Sequence, residues 1–99
     1  MKTLTIDLQL AAARKVRVTA DALIVDLMDG RTASVPLAWY PRLLYGEEAE
    51  RNNWRLIGNG AGIHWPDLDE DISVESILLG KPSQESQRSL RRWLEARRK

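Results

Sequence analysis

Four successive stretches of this chain alternate apolar and polar residues, and that alternation limits the possible folds more than any other feature. Leu4, Ile6, Leu8 and Leu10 share one side of the first stretch, opposite Thr3, Thr5, Asp7 and Gln9. Val16 and Val18 mark the second, Leu23, Val25 and Leu27 the third, and Ala33, Val35 and Leu37 the fourth. A period of two is the pleat of a half-buried strand, and its apolar face demands a cover. The spacing predicts strands over 3–10, 16–20, 22–28 and 31–37.

The turn between the last two rows sets their register. A two-residue loop at Asp29-Gly30 would place Val25 on the same face as Ser34. A three-residue loop, Met28-Asp29-Gly30, pairs Leu27 with Arg31, Val25 with Ala33 and Leu23 with Val35. Only the second choice keeps both apolar rows together, which predicts a type I turn with Gly30 left-handed and a bulge after it.

The period then changes. Pro36 is compatible with an edge strand or a strand end. Pro41 suits the first turn of a helix over 41–52, with Leu43, Leu44, Tyr45 and Ala49 inward and Glu47, Glu48, Glu50 and Arg51 outward. Gly46 weakens that helix by about 1 kcal/mol relative to alanine. A short strand over 54–57 follows, then a glycine loop and an extended Ile63-His64-Trp65 that Pro66 closes. Ser73 is placed to cap a helix over 73–79, with Ile72 and Ile77 as a staple and Glu75 in its first turn. Gly80 and Pro82 stop that helix. Ser83 or Ser86 opens a last one over 83–97. The expected fold is α+β: a small, mostly antiparallel sheet from 3–10, 16–20, 22–28, 31–37 and 54–57, packed by two or three helices, with a C-terminal amphipathic basic helix. Residues 1–82 form the core domain, and 83–99 pack on it or extend from it.

Composition narrows the chemistry. Ninety-nine residues can bury roughly 60–65% of their unfolded surface, enough for one modest core. The absence of cysteine excludes a disulfide scaffold, a zinc–thiolate site and a thiol nucleophile. No apolar run reaches the length of a signal-peptide core or a membrane span, so the expected compartment is the cytoplasm and no membrane partner is expected. The net charge is +1, but residues 88–99 carry +5 and the remainder −4. Asp67, Asp69, Glu70, Asp71 and Glu75 form an acidic run with no base among them.

No nucleophile, base and orienter come together in the sequence, and His64 is the one histidine. Gly58-Asn59-Gly60-Ala61-Gly62 lacks the glycine a dinucleotide fingerprint needs at position 63, where isoleucine stands, so the stretch reads as a turn-forming loop. His64 with Asp67, Asp69 and Asp71 offers an imidazole and carboxylates for a divalent cation or acid–base work. A transition-metal site usually needs three or four good ligands from separated elements, so the structural reading, a tied loop and a capped helix, stands beside the metal reading. No cofactor is expected.

Val16–Leu37, Trp39-Tyr40-Pro41-Arg42-Leu43, and Gly62-Ile63-His64-Trp65-Pro66-Asp67-Leu68-Asp69-Glu70-Asp71-Ile72-Ser73 together resemble the bacterial family catalogued as domain of unknown function 2442. The resemblance covers roughly residues 16–80, and Ser83–Arg98 resembles an extension that some members carry. It implies a small α+β domain. It also implies a neighbourhood of other small bacterial proteins, some pairs being discussed as toxin–antitoxin-like, and some members bear an appended helix-turn-helix domain.

Two surfaces follow as candidates. The motif residues Trp39, Tyr40, Arg42, His64, Trp65, Asp67, Asp69, Glu70 and Asp71 form a candidate partner-binding surface, because aromatic and arginine side chains lead interface hot spots. On the last helix, Leu90, Trp93, Leu94 and the stem of Arg97 fall on one side, and Arg88, Arg91, Arg92, Arg98 and Lys99 on the other. The leading reading is a non-enzymatic protein-interaction module, the regulatory or antitoxin-like half of a small protein pair, whose partner is another small protein or a second copy. The alternative is nucleic-acid binding through the five basic residues of that helix. A weaker one is a metal-dependent enzyme at His64 and its carboxylates.

Overall fold

The computed structural model describes residues 11–98, so the expected strand over 3–10 and Lys99 lie outside the described residues. Strands β1 (Ala13–Val18), β2 (Ala22–Leu27) and β3 (Thr32–Pro36) form one antiparallel sheet in that order. A 3-10 turn over Leu37–Trp39 leads into α1 (Pro41–Leu44) and α2 (Glu48–Arg51). Strands β4 (Arg55–Ile57), β5 (Gly62–Trp65) and β6 (Glu70–Ser73) form a second antiparallel sheet, followed by α3 (Val74–Leu78) and α4 (Gln87–Arg97).

The architecture is α+β. It holds two three-stranded sheets among the described residues where the alternation predicts one. The strand near 54–57 belongs to the second sheet: it pairs with one side of β5, and Glu70–Ser73, not expected as a strand, pairs with the other. The β2–β3 hairpin follows the three-residue turn: Leu23 faces Val35 and Val25 faces Ala33. The Leu27 amide donates to the Arg31 carbonyl at 2.8 Å, and Gly30 has φ +93°. Only glycine adopts that backbone without strain. β1 runs earlier than the expected 16–20, with a bulge between Ala13 and Lys15. It stops at Val18 because the Thr19 hydroxyl accepts the amides of Asp21 and Ala22 and turns the chain.

The single helix expected over 41–52 is broken in two. Gly46 is buried under Leu68, and a Cβ there would sit 2.9 Å from a Leu68 methyl carbon, so the chain bends at the one residue that lets Leu68 in. Arg51 then caps the broken end: its Nε donates to the Leu43 carbonyl at 2.8 Å and an Nη to the Leu44 carbonyl at 2.7 Å. Trp65 fills the space below with no exposed surface, and its indole N–H donates to the Arg51 carbonyl at 3.0 Å.

The two sheets share one core. Leu23, Val25 and Leu27 of the first pack with Ile63, Trp65, Leu68, Ile72, Val74 and Ile77 of the second region. Gly60 allows the approach: it has φ +89°, and a Cβ would lie 2.7 Å from the Ala13 carbonyl of β1. Ser73 caps α3 as expected, its hydroxyl accepting the Ser76 amide at 3.0 Å. The chain leaves α3 at Gly80, crosses the core as a strap, and enters α4 at its cap Ser86, whose hydroxyl accepts the Ser89 amide at 3.1 Å.

Candidate functional site

Alternation along α4 gives it two faces, and only one is in use within the fold. Leu90, Trp93, Leu94 and Arg97 are half-buried, while Arg88, Arg91, Arg92, Glu95 and Arg98 are exposed. The inner face is anchored by a polar interlock. Arg42 of α1 donates from Nε and Nη2 to Glu85 at 2.7–3.0 Å, with both side chains nearly buried at 14% and 10% exposure. The other Nη of Arg42 donates to the Asp69 carbonyl at 3.1 Å. Arg97 binds Glu50 of α2 through two contacts of 2.6 and 3.1 Å. The guanidiniums of Arg42 and Arg97 both lie over the Trp93 ring, 5.1 and 4.6 Å from its centre. Cation–π contacts of this kind contribute about 0.5–2 kcal/mol each. Hydrogen bonding to Arg42 holds the Glu85 carboxyl below the usual range, and Arg97 does the same for Glu50.

The outer face differs. Arg88, Arg91, Arg92 and Glu95 follow one another at helical spacing and line an open depression of about 370 Å³. None of Arg88, Arg91, Arg92 or Arg98 forms an ion pair with an acid among the described residues.

The motif residues are divided between surface and core. His64 and Asp71 are register partners across β5 and β6 and pair side chain to side chain on the outer face, with Arg55 opposite His64 on β4. Asp67 accepts from the Asn53 amide at 2.9 Å, and Asp69 is exposed 3.6 Å from Arg42. The histidine and its sequence neighbours are thus turned to different partners. Among the described residues no group of three or more His, Asp or Glu side chains is placed to hold a metal ion, which corrects the clustering suggested by their proximity in sequence. Tyr40 and Trp65 are core residues with 3% and no exposure, so their rings support the surface from beneath. Trp39 is half-buried against the core. Trp39 and Tyr40 thus do not stand out together as an aromatic pair: the phenol turns under the strap, where its hydroxyl meets the Lys81 carbonyl at 3.4 Å.

Glu70 is the surprise within the acidic run. It pairs with Trp65 in the β5–β6 register and shares the parity of Ile72, so its side chain faces the core. It lines a cavity of about 210 Å³ with Tyr40, Asp71, Lys81 and the strap residues Pro82–Gln84. Burial pushes its carboxyl up to about 7; Arg42 opposes that shift, and Glu85, Asp71 and Asp69 add to it. Burial likewise raises the Tyr40 phenol, with Glu70 a lesser cause.

A family model described as Protein of unknown function (DUF2442) matches residues 13–83. The chain belongs to that family. The matched region ends within the strap, and the interlock joins it to α4, a helix beyond that region. The fold is similar to a crystal structure of a protein of unknown function from Rhodospirillum rubrum, with 27% identity, a TM-score of 0.66, and coverage of 77% of this chain and 94% of that one. It is also similar to the solution structure of an uncharacterized protein from Chromobacterium violaceum, at 16% identity and a TM-score of 0.63, covering 82% of this chain and 74% of that one. A comparison with curated proteins finds no match. Among the described residues no helix is long and apolar enough to cross a membrane.

Sequence reasoning missed Glu85 and Glu50 as anchors and Glu70 as an inward group. A strand pattern at Glu70–Ser73, with Ile72 inward, was the signal that would have found the last.

Proposed function

We propose that this DUF2442 member is a non-enzymatic interaction module that presents the outer face of α4 to an acidic surface on another small protein, as the regulatory or antitoxin-like half of a bacterial pair. One observation carries the reading. The helix is fixed to the core by its inner side, while Arg88, Arg91, Arg92 and Arg98 remain exposed with no acidic partner among the described residues. Exposed charges that the fold leaves unpaired are available to opposite charge on a partner, and such complementarity steers encounter and sets register. The half-buried His64 and the exposed Asp67, Asp69 and Asp71 form a second, mainly acidic contact region of the same proposal.

The test is co-purification of the tagged full chain from its source organism, run beside the triple variant Arg88→Ala, Arg91→Ala, Arg92→Ala. The expected result is a stoichiometric small acidic protein that the triple variant loses and that salt releases. Light scattering reports a second copy instead, should the chain pair with itself. Tight binding of a duplex DNA probe, with a salt slope that falls in the triple variant, would replace this reading with the nucleic-acid one.

A further inference from the structure

The strap between α3 and α4 runs over a titratable side chain that the strand register forces inward. Glu70 sits opposite Trp65 in the hairpin and faces Lys81–Gln84 across the 210 Å³ cavity. The groups around it come from several elements: Tyr40 ahead of α1, Arg42 on α1, Asp69 in the hairpin loop, Asp71 on β6, and Lys81 and Glu85 on the strap. Arg42 is the one guanidinium in this set, and most of its donors are already engaged. Nε and Nη2 serve Glu85, and Nη1 serves the Leu68 and Asp69 carbonyls. No side-chain hydrogen bond to Glu70 is present among the described residues, so an ionised Glu70 competes with Glu85 for the charge of Arg42.

Glu85 is a poor group to displace without consequence. Its carboxylate also accepts the Ser89 hydroxyl at 2.8 Å, in the first turn of α4. The Ser83 amide, just ahead of it, donates to the Trp39 carbonyl at 3.0 Å. The strap and the first turn of α4 are therefore tied to the core through Arg42, which shares the Trp93 ring with Arg97.

We propose that Glu70 is a pH-sensitive latch for α4: neutral, it leaves Arg42 on Glu85 and the helix seated; ionised, it draws Arg42 away and loosens the strap and the first turns of α4. The direction of the stability effect follows from the shift. A carboxyl that stays protonated in the fold up to about pH 7, against 4.5 ordinarily, binds a proton that the unfolded chain has released. Its contribution is complete below the unfolded value and is lost as pH rises through the folded one. Seating of α4 is thus firmest in mild acid and weakest above neutrality.

The test is an NMR titration of the full chain from pH 5.5 to 8.5, following the Arg42 Nε–H signal and the exchange protection of α4 amides, corrected for intrinsic exchange. In the wild type the Arg42 signal is expected to move with a midpoint near 7, and α4 protection to fall by about tenfold across it. In Glu70→Gln, an isostere of the neutral form, both remain flat. His64→Asn, which removes the one imidazole, serves as the control and is expected to retain the wild-type step. A wild type without the step, a step that survives Glu70→Gln, or one that disappears in His64→Asn overturns the latch. No partner is present in the measurement, so the latch and the arginine face stand or fall separately.

Discussion

Six arginines surround α4, and the fold treats them in two ways. Arg42 and Arg97 each hold a carboxylate and lie over one indole. Arg88, Arg91, Arg92 and Arg98 stand on the opposite side, exposed and without an acid among the described residues. Residue type does not separate the two sets; position relative to Trp93 does. A guanidinium that stacks on an aromatic ring and forks onto a carboxylate fixes a helix in place, whereas the same group on the far side contributes field alone. Arginine count is therefore a poor guide to function, and the difference lies in which charges the fold has already used.

That contrast can be broken from the inside first. Trp93→Ala removes the ring beneath both guanidiniums and is expected to cost about 3 kcal/mol, the low end for tryptophan truncation because the indole is only half-buried. Urea unfolding followed by circular dichroism would measure it. Arg42→Ala leaves Glu85 nearly buried without its partner and is expected to cost about 2 kcal/mol. In a double-mutant cycle with Glu85→Ala, a coupling of about 1 kcal/mol or more identifies the pair itself as the anchor. Arg97→Ala is smaller, at about 1 kcal/mol, because Arg97 and Glu50 are more open to water. A loss at Arg97 equal to that at Arg42 would mean that α4 is held at its end as firmly as at its start.

The anchors also show what a linear sequence reveals. The Met28-Asp29-Gly30 register was legible because only one loop length puts Val25 and Ala33 on the same face. Ser73, Gly80 and the two faces of α4 were legible because caps and helical spacing are local. The break at Gly46 was not, because it depends on Leu68 arriving from another element. β6 was obscured by charge: Asp69, Glu70 and Asp71 read as a solvated run, although Ile72 and Glu70 share a parity and face inward together. Arg42 was singled out by its motif, but its partner Glu85 lies 43 residues away, and no local pattern encodes a pair at that separation. The outer arginines were found as a cationic face, yet their standing as uncommitted charges emerged only once the inner set had been accounted for.

The most direct test of the division compares stability and binding in one variant. Arg88→Ala, Arg91→Ala, Arg92→Ala should unfold within about 0.5 kcal/mol of the wild type, as exposed substitutions do, while losing the small acidic partner from co-purification. A triple variant that keeps its partner, or that is destabilised as much as Arg42→Ala, would contradict the assignment of the outer face to recognition.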